Sequence, residues 1–220
     1  MTASQLASYI DHTVLKPDAP VSAIETACQQ ALEHNFAAVC FAPRHVARAR
    51  ELLKNSPVKV ATVAGFPNGD TLSSVKADET RAAIEAGADE VDMVIAIGAA
   101  LDSDWAYVGD DIAAVVRAAQ KRAVVKVIIE AAYLSDEQKT QACRVAVDAG
   151  ADYVKTSTGF APSGATAPDV KLMRQTVGPN IGVKAAGGIR DLPTALAMIE
   201  AGASRLGCSA SVAILEALES

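Results

Sequence analysis

Three lysines stand inside apolar runs of strand length: Lys126 in AVVKVIIE, Lys155 in DYVKTST and Lys184 in IGVKAAG. Removing an ammonium from water costs several kcal/mol or strips its proton. Each lysine therefore either snorkels to solvent or supplies an amine in a dry place. Carboxylates stand in similar runs: Asp92 in EVDMVIAIG, Glu130 at the end of AVVKVIIE, and Asp11, with His12 beside it, in YIDHTVL. Singly, each suits a structural ion pair. If the three lysine runs are neighbouring parallel strands, their ammonium groups lie close and lower one another's basicity. A lysine depressed in this way is a nucleophile at neutral pH. Asp92 and Glu130 would keep such a cluster near electrical balance. An amine nucleophile, a second lysine and a carboxylate suit Schiff-base chemistry on a carbonyl.

The elements that must position these groups can be read from hydrophobic periodicity. Strand-length apolar runs occur at 9–15, 37–42, 58–65, 90–98, 123–130, 152–158, 181–187 and 203–209. Amphipathic stretches of helix length separate them, including 73–87 and 135–150. In the second, Ala142, Val145, Ala146 and Ala149 fall on one face. One phrase recurs as EAGADEVDMV, DAGADYVKTS and EAGASRLGCS, a helix ending at glycine, a tight turn and a strand. Gly87, Gly150 and Gly202 suit left-handed cap positions. Ser135 with Gln138 reads as a capping box, and Asp191 caps the next helix with Pro193 in its first turn. Eight strands alternating with helices predict an α/β fold of the TIM (β/α)8 class, with residues 1–220 as a single catalytic domain. An open doubly wound sheet is the alternative. It is the weaker one, because GFPNGD and AAGGIRD lack the spacing of a dinucleotide-binding turn.

In such a barrel, chemistry belongs at the carboxyl ends of the strands, and a phosphate site at the loops after strands seven and eight. Gly187 and Gly188 expose backbone N–H groups there. Gly207, Ser209 and Ser211 add donors at the start of the last helix. The segment 156–166, TSTGFAPSGAT, reads as a loop that could close over substrate.

Composition limits the remaining possibilities. A net charge of −6 argues against nucleic acid or an anionic membrane as partner. No apolar stretch reaches the ~20 residues of a membrane span, and no signal peptide is visible, so a cytoplasmic protein is expected. Cys28, Cys40, Cys143 and Cys208 have no zinc or redox spacing and read as buried thiols in a reducing compartment. The three histidines are dispersed, so neither a metal nor a cofactor is expected. Barrels of this size often pair through outer helices, which makes a homodimer the expected assembly.

The motifs IDHT, FPNG, EVDMVIAIG, VKVIIE, YVKTSTGF and GVKAAGGIR, in this order, resemble the deoxyribose-phosphate aldolase family from Ile10 to about Leu215. The resemblance implies a class I lyase without metal on a TIM barrel. It would cleave 2-deoxy-D-ribose 5-phosphate reversibly to acetaldehyde and D-glyceraldehyde 3-phosphate, in deoxynucleoside catabolism. The family's Schiff-base lysine falls on Lys155, its second catalytic lysine on Lys184, its proton-relay aspartate on Asp92, and its phosphate site on Gly187, Gly188, Gly207 and Ser209. Lys184 then supplies the field that keeps Lys155 deprotonated, and Lys126 supports Asp92 and the carbinolamine hydroxyl.

Three departures from the family pattern bear on rate and phosphate affinity. Ala131 stands where threonine is usual, and Ala210 where a serine is usual. A C-terminal tyrosine that assists proton transfer in some members has no counterpart before Ser220. Other readings of the same residues are a lysine aldolase acting on a longer ketose phosphate, a phosphosugar isomerase or synthase barrel, and a phosphosugar-binding barrel with an unreactive Lys155.

Overall fold

The computed structural model describes residues 1–219, so the end of the chain at Ser220, where the missing tyrosine was noted, lies outside the described residues. The strands are β1 (Ile10–Val14), β2 (Ala38–Phe41), β3 (Lys59–Ala64), β4 (Glu90–Val94), β5 (Val124–Ile128), β6 (Tyr153–Lys155), β7 (Gly182–Ala186) and β8 (Arg205–Cys208). The α-helices are α1 (Ala3–Ala7), α2 (Val21–His34), α3 (Val46–Leu53), α4 (Ser73–Glu85) and α5 (Ile97–Leu101). They continue with α6 (Trp105–Ala119), α7 (Asp136–Asp148), α8 (Ala167–Val177), α9 (Leu192–Glu200) and α10 (Ser211–Glu219). The strands pair in sequence order, all parallel, and β8 closes onto β1. This is the (β/α)8 barrel that the alternation predicts.

The expected strands are each present but shorter. The run 90–98 stops at Val94 and turns into α5, although Ile95 N–H still reaches Ile128 O at 3.1 Å. The run 152–158 keeps only Tyr153–Lys155 as regular strand. Its continuation is held by Thr156, whose N–H donates to Lys184 O at 3.0 Å and whose hydroxyl donates to Ala186 O at 3.1 Å. An apolar run marks where the chain is buried, not where its backbone ladder ends.

The recurring phrase has a definite structural job. After α4, α7 and α9, Gly87, Gly150 and Gly202 take positive φ of 108°, 91° and 110°. Each helix then ends in the same paired bonds. Gly87 N–H donates to Ile84 O and Ala88 N–H to Ala83 O; the equivalents are Gly150 to Val147 with Ala151 to Ala146, and Gly202 to Ile199 with Ala203 to Met198. The next residue clasps the preceding strand. Asp89 accepts from Val60 N–H at 2.8 Å, Asp152 from Val125 N–H at 2.8 Å, and Ser204 from Val183 N–H at 3.1 Å. In return Asp89, Asp152 and Ser204 donate their own N–H to the carbonyls of those residues. Ser135 with Gln138 forms the predicted capping box, and Asp191 caps α9.

Because side chains alternate along a strand, each strand serves two cores. Outward residues such as Val39, Val60, Met93, Val127, Val154, Val183 and Leu206 pack under the helices in one apolar shell. Inside the barrel, the apolar filling is a small group, Ala38, Cys40, Ala61 and Val63 on β2 and β3. The rest of the interior is occupied by charged side chains from β1, β4, β5, β6, β7 and β8.

Candidate active site

Parallel register sets the charged residues side by side. Lys155 pairs with Lys184 across β6 and β7, Asp92 with Lys126 across β4 and β5, and Asp11 with Gly207 across β1 and β8. Asp92 is the hub. Its Oδ2 accepts from Lys155 Nζ at 2.7 Å and from Lys184 Nζ at 2.7 Å, and its Oδ1 accepts from Lys126 Nζ at 2.8 Å. Lys184 also donates to Asp11 Oδ2 at 2.5 Å. Lys126 lies 2.5 Å from Glu90 Oε2, and Arg205 donates to Asp11 Oδ1 at 2.6 Å with Glu90 Oε2 at 3.3 Å. Asp11, Asp92, Lys126 and Lys184 are fully buried, and Lys155 is 2% exposed.

Four basic side chains, Lys126, Lys155, Lys184 and Arg205, thus face three carboxylates, Asp11, Glu90 and Asp92. An unbalanced charge in such a place is costly: at an effective dielectric of ~20, two unit charges 4 Å apart still interact by about 4 kcal/mol. The cluster is neutral when one basic group is neutral. Lys155 is the group to lose its proton, because its ammonium has Asp92 as its one carboxylate partner and the other basic groups each have two or more.

The direction of each titration follows. Burial pulls Lys155 below the ordinary lysine value; Asp92 opposes this and Lys184 adds to it. Burial is thus the largest contribution to the depression, and the field of Lys184, expected from sequence to be the main source, is secondary. Burial would also lower Lys184, but Asp11 and Asp92 outweigh it and hold that ammonium well above the ordinary range. Burial would raise Asp92, but Lys126, Lys155 and Lys184 hold it well below the usual carboxylate value.

Lys155 is the member of this cluster that opens onto a cavity of about 370 Å³. The same cavity is lined by Gly187, Gly188, Gly207 and Ser209, together with Arg190 and Lys16. The four predicted phosphate positions therefore face the same space as the predicted amine. Gly188 has φ of +78° and open space where a Cβ would stand. Gly187, with φ of +85°, lies against Gly164 Cα, 3.0 Å from where its own Cβ would be.

Gly207 has a further role. A Cβ there would lie 3.0 Å from Lys184 Cε and 3.0 Å from Ala186 Cβ. The missing side chain thus makes room for the Lys184 stem, and the space it leaves is inside the barrel. Gly182 does the same for the Tyr153 ring, which a Cβ would meet at 2.1 Å. Ser211, read from sequence as another phosphate donor, is fully buried. Its hydroxyl donates to Cys208 O at 3.0 Å and pairs with His12 Nδ1 at 2.8 Å, so it is committed to the start of α10.

Glu130 was expected to balance the lysines. It makes no ion pair with them and instead holds the loop after β6. It adopts φ of 50°, uncommon for a residue with a side chain. Its carboxylate accepts from Thr158 N–H at 3.2 Å and from the Thr158 hydroxyl at 2.5 Å. Burial holds this carboxyl above the ordinary range despite those bonds. Lys126 meets Asp92 as expected, but it lies in the interior of the cluster and is absent from the cavity wall.

Sequence reasoning missed Glu90 and Arg205 and gave Asp11 no definite place. The signal was available in strand parity. Glu90 is two residues before Asp92, and Arg205 two before Gly207, so each shares an inward face with a residue already singled out.

The DeoC/LacD family aldolase profile matches residues 5–217. A deoxyribose-phosphate aldolase of Clostridium perfringens is 58% identical over 216 residues, covering 98% of this chain and 96% of that protein. One from Halalkalibacterium halodurans is 58% identical over 211 residues, covering 96% and 94%. The solved structure of the deoxyribose phosphate aldolase from Aeropyrum pernix superposes with a TM-score of 0.93 at 33% identity, covering all of this chain and 93% of that one. With a buried amine at the mouth of a matching barrel and a profile match over nearly its whole length, the chain belongs to the DeoC/LacD family of aldolases.

Proposed function

We infer that this chain is a class I aldolase that reversibly cleaves 2-deoxy-D-ribose 5-phosphate to acetaldehyde and D-glyceraldehyde 3-phosphate. The observation that carries this reading is Lys155, a buried amine of depressed basicity that opens onto a cavity also lined by Gly187, Gly188 and Gly207. The high identity to deoxyribose-phosphate aldolases supports the substrate.

The cleavage runs as follows. The 5-phosphate is held by backbone N–H groups at Gly187, Gly188 and Gly207 and by Ser209, with Arg190 and Lys16 adding positive charge. Neutral Lys155 attacks C1 of the open-chain aldehyde. The carbinolamine loses its hydroxyl as water, with the proton supplied from the Lys184–Asp92 pair, and an iminium forms. Asp92, through a water, takes the proton of the C3 hydroxyl. The C2–C3 bond breaks, its electrons enter the iminium as an enamine, and the C3 oxygen becomes the aldehyde of glyceraldehyde 3-phosphate. The enamine gains a proton at C2, and water releases acetaldehyde and restores the amine. Lys126 holds Asp92 in place through Oδ1.

The four cysteines are free and buried, which supports a reducing, cytoplasmic setting. Among the described residues no helix is long and apolar enough to cross a membrane. Residues 1–220 are read as one catalytic barrel. The exposed apolar Leu72 and Val75 at the start of α4 support a homodimer through outer helices, which sedimentation at several concentrations tests.

The decisive experiment is borohydride reduction with acetaldehyde, followed by peptide mapping. A single adduct on Lys155, absent from Lys155→Ala, is expected. An adduct on Lys126 or Lys184, or one formed with dihydroxyacetone phosphate and not with acetaldehyde, would overturn the assignment.

A further inference from the structure

We propose that Glu90 and Arg205, at the end of the barrel interior remote from the cavity, are positioning residues that set the charge state of the Lys155 amine by fixing the charge balance of the buried cluster. The proposal rests on the reading of Lys155 as the nucleophile.

The cluster continues past the residues that face substrate. Glu90 is 3% exposed and stands between two cations, Lys126 at 2.5 Å and Arg205 at 3.3 Å. Arg205 joins Glu90 to Asp11, and Asp11 joins Lys184. Its guanidinium also lies over the Tyr153 ring, 5.7 Å from the centroid. Gly182 leaves the room that this ring occupies. The lower interior is therefore shaped around the Arg205–Glu90 pair.

Every strand around Lys155 can be accounted for. β1 brings Asp11, β2 brings Cys40, and β3 brings the uncharged Ala61 and Val63. β4 brings Glu90 and Asp92, and β5 brings Lys126, with Glu130 just beyond. β7 brings Lys184, and β8 brings Arg205 and Cys208. Burial pushes the Cys40 and Cys208 thiols up, the latter to about 11, so both stay uncharged. Glu130 also acts on Lys155, but it lies outside the ion-paired set and is the same in every variant; the ion-paired set itself holds three carboxylates and four basic groups. With Lys155 neutral its sum is zero. Removing the Glu90 charge leaves an excess of cations, which favours the neutral amine. Removing the Arg205 charge leaves the three carboxylates facing three lysines, which favours the ammonium.

The two neutralising variants must therefore move Lys155 in opposite directions, which a purely structural role would not do. A unit charge roughly 10 Å away, at an effective dielectric of ~20, shifts a titration by on the order of one unit. The measurement is the rate of borohydride-trapped acetaldehyde adduct on Lys155 against pH. Glu90→Gln should move the rising limb to lower pH by about one unit, and Arg205→Met to higher pH by about the same, near a ten-fold change in rate at a fixed pH on the limb. Arg205→Lys keeps the charge and should leave the limb in place. The double variant Glu90→Gln/Arg205→Met restores the balance and should return the limb to its wild-type position. That arm carries the test where a single variant does not fold. Unmoved limbs in both single variants, shifts in the same direction, or a displaced limb in the double variant would overturn the proposal. Absence of a Lys155 adduct in the wild type is a separate outcome, and it removes the functional reading itself.

Discussion

Lys155 and Lys184 donate to the same atom, Asp92 Oδ2, each at 2.7 Å. A carboxylate oxygen can receive both, but the second positive charge is costly in so dry a place. The pair shares one acceptor because only one of the two is meant to be charged. Lys184 has Asp11 as well, and so it keeps its proton.

Lys184→Leu tests this division. Lys126 and Arg205 would then face three carboxylates, and Lys155 would take up a proton to restore balance. We expect kcat to fall by at least about a hundred-fold, the scale of a lost acid–base group. The pH limb of adduct formation should move to the alkaline side by one to two units, on the order of one close ion pair. The adduct rate against pH in the two proteins is the measurement. An unchanged profile with cleavage lost would confine Lys184 to later proton transfers.

Gly207→Ala tests the space beside Lys184. A methyl 3.0 Å from Cε must push the lysine stem or the Ala186 backbone. Overpacking of this kind costs about 1–3 kcal/mol. Melting temperature should fall by several degrees, and kcat should fall more than KM rises. A variant with wild-type kcat and a raised KM for phosphorylated sugar alone would make Gly207 a phosphate contact and nothing more.

How much of this was legible beforehand depended on the kind of signal. Periodicity and the thrice-repeated phrase located the eight strands, since an apolar run is a property of adjacent residues. Lys126, Lys155 and Lys184 stood out because each is an expensive residue for its run. Glu90 and Arg205 are the first residues of β4 and β8, where a charge looks like solvent exposure. Only the barrel's closure, which sets β4 and β8 across the interior from each other, turns them inward as a pair. The second role of Gly207 was hidden for a related reason: a vacancy has meaning only once the neighbour that fills it is known. The hold of Glu130 on the loop after β6 was hidden because its backbone takes φ of 50°, a departure that sequence does not announce.

Gly188→Asp tests the phosphate wall. The position has open space, and aspartate tolerates positive φ better than most residues. A carboxylate there would repel the 5-phosphate. KM for 2-deoxyribose 5-phosphate should rise ten-fold or more, while cleavage of unphosphorylated deoxyribose changes little. Equal losses on both substrates would place the phosphate elsewhere.

Acid should loosen the barrel. Asp92 is held well below its ordinary value of 3.8, so it binds a proton more readily unfolded than folded. Its contribution is complete above that value and is lost as pH falls toward the folded one. The urea midpoint should hold above about pH 4 and fall progressively as the pH is lowered below it. Asp92→Asn should be less stable at pH 7 and show a flatter decline. A wild-type midpoint that does not change as the pH is lowered would mean that the interior charges are relieved by other means.

The three strand clasps bear on how such an interior can be assembled at all. Val60 with Asp89, Val125 with Asp152, and Val183 with Ser204 span only 29, 27 and 21 residues. Each fixes the offset of one β/α/β unit, β3 with β4, β5 with β6 and β7 with β8, through contacts near in the chain. A slip of one residue would turn Asp92 or Lys155 out among the helices and Val91 or Val154 in. The clasps thus act as a local ruler. Short spans are closed at low entropic cost and reached early on the way to the native state. Three units of settled phase can then meet, so the lysines and carboxylates come together already matched, and no stage requires a lone charge to wait in the dry centre for its counterpart.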